Sequence, residues 1–154
     1  AASPDLGFLF NNYMSCFEHE DISHPYYLRP NAVPWASVAP TIVMQGNRPR
    51  VVLGSPGSER IVSAIAQVLL RLESQPLMDA ITAPRMHCAL DGKVTLEASR
   101  MRSDLPAALL RRGFQVKEVE PFSFYLGCVQ ACMRERDGLV GVADLRRDGA
   151  AVGV

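Results

Sequence analysis

Arg50-Val51-Val52-Leu53-Gly54-Ser55-Pro56-Gly57-Ser58-Glu59-Arg60-Ile61 runs from an apolar, β-branched stretch through a small turn into an amphipathic segment. Arg50 to Leu53 predicts a strand. Ile61, Ile65, Val68, Leu69 and Leu72 recur at helical spacing, with Glu59, Arg60, Arg71 and Glu73 at polar positions, and predict the best helix of the chain. Ser58 or Ser55 is placed to cap its start. Free backbone N–H groups at such a helix start hold an anion or a developing oxyanion, and Gly57 lets a ligand approach the backbone closely. By itself such a turn is more often a plain connection. It is not a P-loop, because no Gly-Lys-Ser/Thr follows.

Working outward, Thr41 to Gln45 precedes this strand across Gly46-Asn47, which predicts a hairpin with a slightly long turn. Met86 to Leu90 and Lys93 to Glu97 flank Asp91-Gly92, a stronger hairpin signal. Pro76 to Thr82 predicts a short second helix. Ser103-Asp104 caps a third, through Leu105, Leu109 and Leu110, which stops at Gly113. Leu6 to Phe10, Phe114 to Val119, Leu126 to Met133 and Leu139 to Ala143 supply further strands. Residues Glu18 to Pro34 hold Pro25, Pro30 and Pro34, and form a long irregular loop. No repeat or linker interrupts the chain. Residues 1–154 are therefore expected to form a single domain of α+β class.

The chain carries 16 Lys+Arg against 16 Asp+Glu over 154 residues, with 48% hydrophobic residues. That composition suits a core and excludes disorder. A formal charge of zero gives no electrostatic footprint for nucleic acid and makes self-association, hence a homo-oligomer, physically easy. No apolar run approaches the roughly 18 residues that span a bilayer, and Ala1-Ala2-Ser3-Pro4-Asp5 lacks a signal-peptide layout. Nucleic acid and membrane are not expected partners.

Cys16, Cys88, Cys128 and Cys132 form no Cys-x-x-Cys pair, and with His19, His24 and His87 they have no zinc spacing. In a strand, Cys128 and Cys132 stand about 13 Å apart, too far for a disulfide. Small buried thiols are the expectation, apart from Cys16, which sits in a polar stretch beside Ser15. Glu18-His19-Glu20-Asp21 and His24 are read as a solvated loop and not a metal site; no metal or cofactor is expected. Arg60 is read as part of an ion pair, and Arg146-Arg147-Asp148 as a solvated or interface turn.

Five segments occur in order: Phe8 to Met14, Val38 to Val43, Gly54 to Ile61, Ala83 to His87, and Gly141 to Ala151. Together they resemble the small, C-terminal subunit of the γ-glutamyltransferase family (γ-glutamyltranspeptidase, glutathione hydrolase), from Leu6 to the last residue. The resemblance implies part of the four-layer αββα fold of N-terminal nucleophile hydrolases. It also implies a self-cleaving precursor whose new N-terminal Thr attacks a γ-glutamyl amide, its own α-amine acting as base. Water or an amino acid then accepts the acyl group. Matched residue by residue, the oxyanion donors are the amides of Gly57 and Ser58, where the family usually has Gly at the second position. Asn12, Cys16, Ser37 and Ser55 are the implied substrate contacts. Implied partners are the large subunit or upstream segment of the same precursor, covering an exposed sheet face, and a small γ-glutamyl substrate.

The sequence departs from that pattern at three places. Thr41, Thr82 and Thr95 are its only threonines, and none stands in the nucleophile's context. Cys16 stands where an acidic residue holds the substrate's ammonium, and Ala36-Ser37 where the family pairs two serines. Either the chain starts partway into the small subunit, or it is a degenerate member serving as a binding or assembly module. A hydrolase for another acyl group, such as a poly-γ-glutamate or an acylated antibiotic, is the third reading. Tyr26, Tyr27 and Trp35 are candidate lid residues or simple anchors of their loop. Compartment stays open, periplasmic or extracellular by family analogy and cytoplasmic otherwise.

Overall fold

Val51 and Leu53 turn to one side of their strand and are buried, while Val52 between them is exposed. This period of two organises the larger part of the chain. The structure is a computed structural model that describes residues 2–3, 8–9 and 11–153. It falls into two compact units, Ala1–Ser37 and Val38–Val154.

In the first unit, β1 (Ala2–Ser3) pairs antiparallel with β2 (Phe8–Leu9). Residues 6, 7 and 10 of the expected first strand lie outside the described residues. A 3₁₀ turn covers Tyr13–Cys16, and the following loop closes on itself where Glu18 bridges Tyr27.

The second unit contains β3 (Thr41–Gln45), β4 (Arg48–Gly54), α1 (Arg60–Arg71), α2 (Leu77–Thr82), β5 (Met86–Cys88) and β6 (Lys93–Leu96). It continues with α3 (Leu105–Arg111), β7 (Gln115–Glu118), β8 (Gln130–Glu135) and β9 (Gly138–Val142). One sheet has the order β3-β4-β8-β9, antiparallel throughout; the other is β5-β6-β7, with β6 and β7 parallel. Ile61, Ala64, Ile65 and Val68 of α1 and Leu77, Ala80 and Ile81 of α2 pack on Val51, Leu53, Val129 and Val142. Burying each larger aliphatic contributes about 1.5–3 kcal/mol, so this face anchors the unit. The opposite face carries the register row Ile42, Val52, Cys132 and Gly141. Ile42, Val52 and Cys132 are exposed there. A groove of about 820 Å³ runs along this face, bordered by Val52, Gly54, Cys132, Gly141 and the C-terminal Ala151 and Val152.

Several local expectations change. The β3–β4 hairpin turns on only two residues, with Gly46 at φ +58, and a bulge at Val43/Met44 accommodates Pro49. The strand expected from Leu126 begins only at Gln130. Phe124–Leu126 is a 3₁₀ turn and Gly127 sits at φ +81, while the Cys128 and Val129 amides donate to side chains outside the ladder. Among the cysteines only Cys128 is buried; Cys16 is half-buried, Cys88 and Cys132 exposed. Asp104 does occupy the N-cap of α3, but its side chain makes no cap bond and pairs with Arg102 at 2.7 Å. No helix among the described residues is long and apolar enough to cross a membrane.

Candidate active site

Between the end of β4 at Gly54 and the start of α1 at Arg60 the chain makes an unusual turn. Gly57 has φ +139 and Ser58 φ +53, the left-handed region that costs an L-residue roughly 1–2 kcal/mol. Their carbonyls accept from Arg60 N and Ile61 N, both at 3.0 Å, which starts the helix. Their own N–H groups donate to no acceptor among the described residues. Two successive free donors thus stand beside the positive end of a 12-residue helix, suited to a carbonyl oxygen that gains negative charge. The left-handed φ of Ser58 also explains physically why glycine suits this position.

Neither serine caps α1. The N-cap residue is Glu59, without a side-chain cap bond. The Ser55 hydroxyl instead donates to Pro56 O at 2.8 Å and accepts from Cys128 N at 3.0 Å. Segment 127–129 is the floor of the turn. A Cβ on Gly57 would meet the Gly127 Cα at 3.3 Å, and one on Gly127 would meet the Ser55 Oγ at 3.0 Å. Among the described residues Arg60 forms no ion pair: it stacks 4.3 Å from the Tyr125 ring centroid and donates from Nε to Tyr125 O at 3.3 Å. Burial first, and the Asp144 carboxylate second, push the Cys128 thiol up, which keeps it protonated and unfit as a nucleophile.

The floor is fixed in turn by a buried ion cluster. Asp144 Oδ2 accepts from Val129 N at 2.9 Å and pairs with Arg85 Nη1 at 2.7 Å. Asp144 Oδ1 accepts from Arg146 N and Nη1, both at 3.1 Å. Arg146 clasps Glu97 with two bonds of 2.8 Å, and Glu97 also accepts from Ser123 N and Arg100 Nη1. Burial, then the Arg146 charge, lowers the Arg85 guanidinium to about 10, against the opposing pull of Asp144. Arg146 was expected in a solvated or interface turn and is wholly buried, because Glu97 and the carbonyls of Ile81 and Ala83 meet it from distant parts of the chain. Arg147, half-buried, stacks 3.9 Å from the exposed Phe124 ring, and Asp148 is exposed as expected. Asp144, Gly127 and Glu97 were not among the expected site residues; no local pattern marks them.

The remaining expected contacts lie in the first unit. Asn12 precedes the 3₁₀ turn and its carbonyl accepts from Ser15 N and Oγ; Cys16 ends that turn, and Ser37 closes the unit half-buried. Tyr26 and Trp35 are exposed and Tyr27 half-buried. Glu18 Oε1 accepts from the amides of Glu20, His19 and Asp21, the first of which contributes most to holding its carboxyl below the usual range. Among the described residues no three His, Cys, Asp or Glu side chains gather as metal ligands. Thr41 and Thr82 hydroxyls donate to Ala39 O and Met78 O, and Thr95 is buried in β6.

The gamma-glutamyltranspeptidase family model matches residues 1–154. The mouse glutathione hydrolase 5 proenzyme is 30% identical over 159 residues, which cover 98% of this chain and 27% of that protein. The gamma-glutamyltranspeptidase of Pseudomonas nitroreducens superposes with a TM-score of 0.83 at 24% identity, over 100% of this chain and 86% of that one. A mutant of the Helicobacter pylori enzyme gives 0.77 at 28% identity, over 96% and 86%. The fold is thus that of the N-terminal nucleophile hydrolases. The chain spans about a quarter of the length of the curated relatives it matches, which are proenzymes. On the full-length family match, this chain belongs to the gamma-glutamyltranspeptidase family.

Proposed function

We propose that this chain supplies the oxyanion hole and substrate contacts of a γ-glutamyltransferase or glutathione hydrolase whose remaining parts come from the same precursor. The observation that carries the reading is the pair of uncommitted amides at Gly57 and Ser58, next to the start of α1. A threonine hydroxyl from outside residues 1–154 attacks the γ-carbonyl carbon, and its proton passes to the threonine's own α-amine. The carbonyl oxygen becomes an oxyanion and accepts from Gly57 N–H and Ser58 N–H, each worth roughly 2.7–4 kcal/mol of barrier. The amine then leaves with the proton, and water or an amino acid takes the acyl group from the ester.

Asn12, Cys16 and Ser37 are carried as head-group contacts by their places in the family's motifs. A cysteine at position 16 provides no carboxylate for the substrate's ammonium, so binding lacks a charge-assisted bond. The open face of the four-stranded sheet, with Ile42 and Val52 exposed, is where the rest of the precursor packs.

The test uses the complete protein and a chromogenic γ-glutamyl anilide. Release of the aniline, lost when the upstream threonine is changed to alanine, supports the reading. A protein that has cleaved itself yet releases no aniline rejects γ-glutamyl specificity. In the active protein, Cys16→Asp is expected to lower KM about tenfold, one added charged hydrogen bond in place of none.

A further inference from the structure

We infer that Ser55 is a positioning residue that sets the direction of the Gly57 N–H, an inference that rests on the oxyanion role proposed for that amide. The Pro56 carbonyl and the Gly57 N–H belong to one planar peptide unit, and no peptide bond among the described residues is cis. In a trans unit the two groups point in opposite directions. Fixing the carbonyl therefore fixes the N–H. The Ser55 hydroxyl does this, donating to Pro56 O at 2.8 Å.

Something has to make that choice, because Gly57 at φ +139 has no Cβ to oppose rotation of the plane. Turned over, the same plane would present its N–H toward the Ser55 side and remove one of the two donors. Ser55 itself has little freedom. Its oxygen accepts from Cys128 N at 3.0 Å, and the next amide, Val129 N, is held by Asp144 at 2.9 Å. Asp144 is buried between Arg85 and Arg146. The orientation of one peptide is thus referred to an ion cluster in the interior. A hydrogen bond to the carbonyl also polarises the amide and makes its N–H a better donor.

This role differs from the substrate contact that the family resemblance implies for Ser55. A serine has one hydroxyl proton, and here Pro56 takes it. A substrate contact would act on KM; a positioning residue for a transition-state donor acts on kcat with KM unchanged.

The experiment measures kcat and KM of the complete protein on a γ-glutamyl anilide for Ser55→Ala, Ser55→Cys and Ser55→Thr. Expected are a 10- to 100-fold fall in kcat for Ser55→Ala at constant KM, an intermediate fall for Ser55→Cys, and recovery to within about threefold for Ser55→Thr. Should Ser55→Ala not fold, Ser55→Cys fills the same space with a weaker donor and carries the test. A rise in KM at unchanged kcat, or no change in either, overturns the inference. A second readout is independent of activity: in glycine-labelled protein, Ser55→Ala shifts or splits the Gly57 amide resonance while Gly46 and Gly113 keep theirs. An unmoved Gly57 resonance overturns the inference even if catalysis is lost. If the wild-type protein proves inert on the anilide while Gly57 shifts, the γ-glutamyl reading fails and the peptide-orienting role of Ser55 stands.

Discussion

Glu18 and Glu97 each accept several hydrogen bonds, but from different kinds of donor. Glu18 takes three backbone amides from the three residues that follow it, on an exposed loop, at 2.8–3.4 Å. Glu97, fully buried, takes donors from Arg85, Arg100, Ser123 and Arg146, the last 49 residues away. The first arrangement forms from local chain geometry alone and asks little of the fold. The second exists only when four segments have already come together, so its energy is tied to cooperative folding of the second unit. Two glutamates thus have opposite roles, and the difference lies in the sequence separation of their donors and in burial.

Removing each carboxylate tests this most severely. Glu97→Ala leaves the Arg146 guanidinium buried without its bidentate partner and is expected to cost about 3–5 kcal/mol in denaturant unfolding of the complete protein. Glu18→Ala, on an exposed loop, is expected to leave the unfolding midpoint essentially where it was. Equal losses would break the contrast. The next effect is steric. Gly127→Ala places a Cβ 3.0 Å from Ser55 Oγ and 3.2 Å from Pro56 O, at φ +81, and is expected to cost about 2–4 kcal/mol. Gly113→Ala, at φ +86 with nothing within 4 Å, isolates the backbone part alone, about 1–2 kcal/mol. A thermal melt of the two variants sharpens how much the floor of the turn adds.

The same contrast explains what was legible in the sequence. Ile61 to Leu72 announced α1 and Asp91-Gly92 announced the β5–β6 hairpin, because helix periodicity and turn chemistry are properties of neighbours. The family's motifs located the Gly54–Ser58 turn. What failed was whatever depended on distant partners. Ser55 was read as a cap of α1, since nothing near it in sequence reveals that Cys128 N, 73 residues on, donates to its oxygen. Arg146 resembled a surface charge until Glu97, 49 residues before it, and the Ile81 and Ala83 carbonyls were placed around it. The strand expected from Leu126 failed for the same reason. Apolar residues there satisfy a strand pattern, but Asp144 and Ser55 hold the Cys128 and Val129 amides out of the ladder.

Ser58 probes the turn from the opposite direction. Its left-handed φ of +53 is a strain that glycine does not feel. Ser58→Gly is expected to stabilise the protein by about 0.5–1 kcal/mol, the relief of strain less the greater unfolded-state entropy of glycine. Its N–H donor is retained, so kcat on the anilide should not fall; a marked fall would mean that the side chain takes part.

The smallest effect is a pH dependence that separates buried from exposed polar groups. His87 is buried, its Nδ1 is 2.9 Å from Ser63 Oγ, and its Nε2 has no partner among the described residues. Burial, and secondly the Arg60 charge, hold its imidazole below the ordinary 6.5, with Glu59 opposing. The unfolded chain therefore takes up this proton first as the pH falls. The unfolded state binds more protons than the native one, so stability rises with pH and is lost as the pH drops below about 6.5. Glu18 gives the same sign in another window, because its lowered carboxyl costs stability only as the pH falls below its ordinary 4.5. A melting series from pH 8 to pH 5 should thus show a decline that His87→Gln flattens and Glu18→Ala leaves intact. A decline indifferent to His87 would assign it to other groups and remove this histidine from the buried polar set.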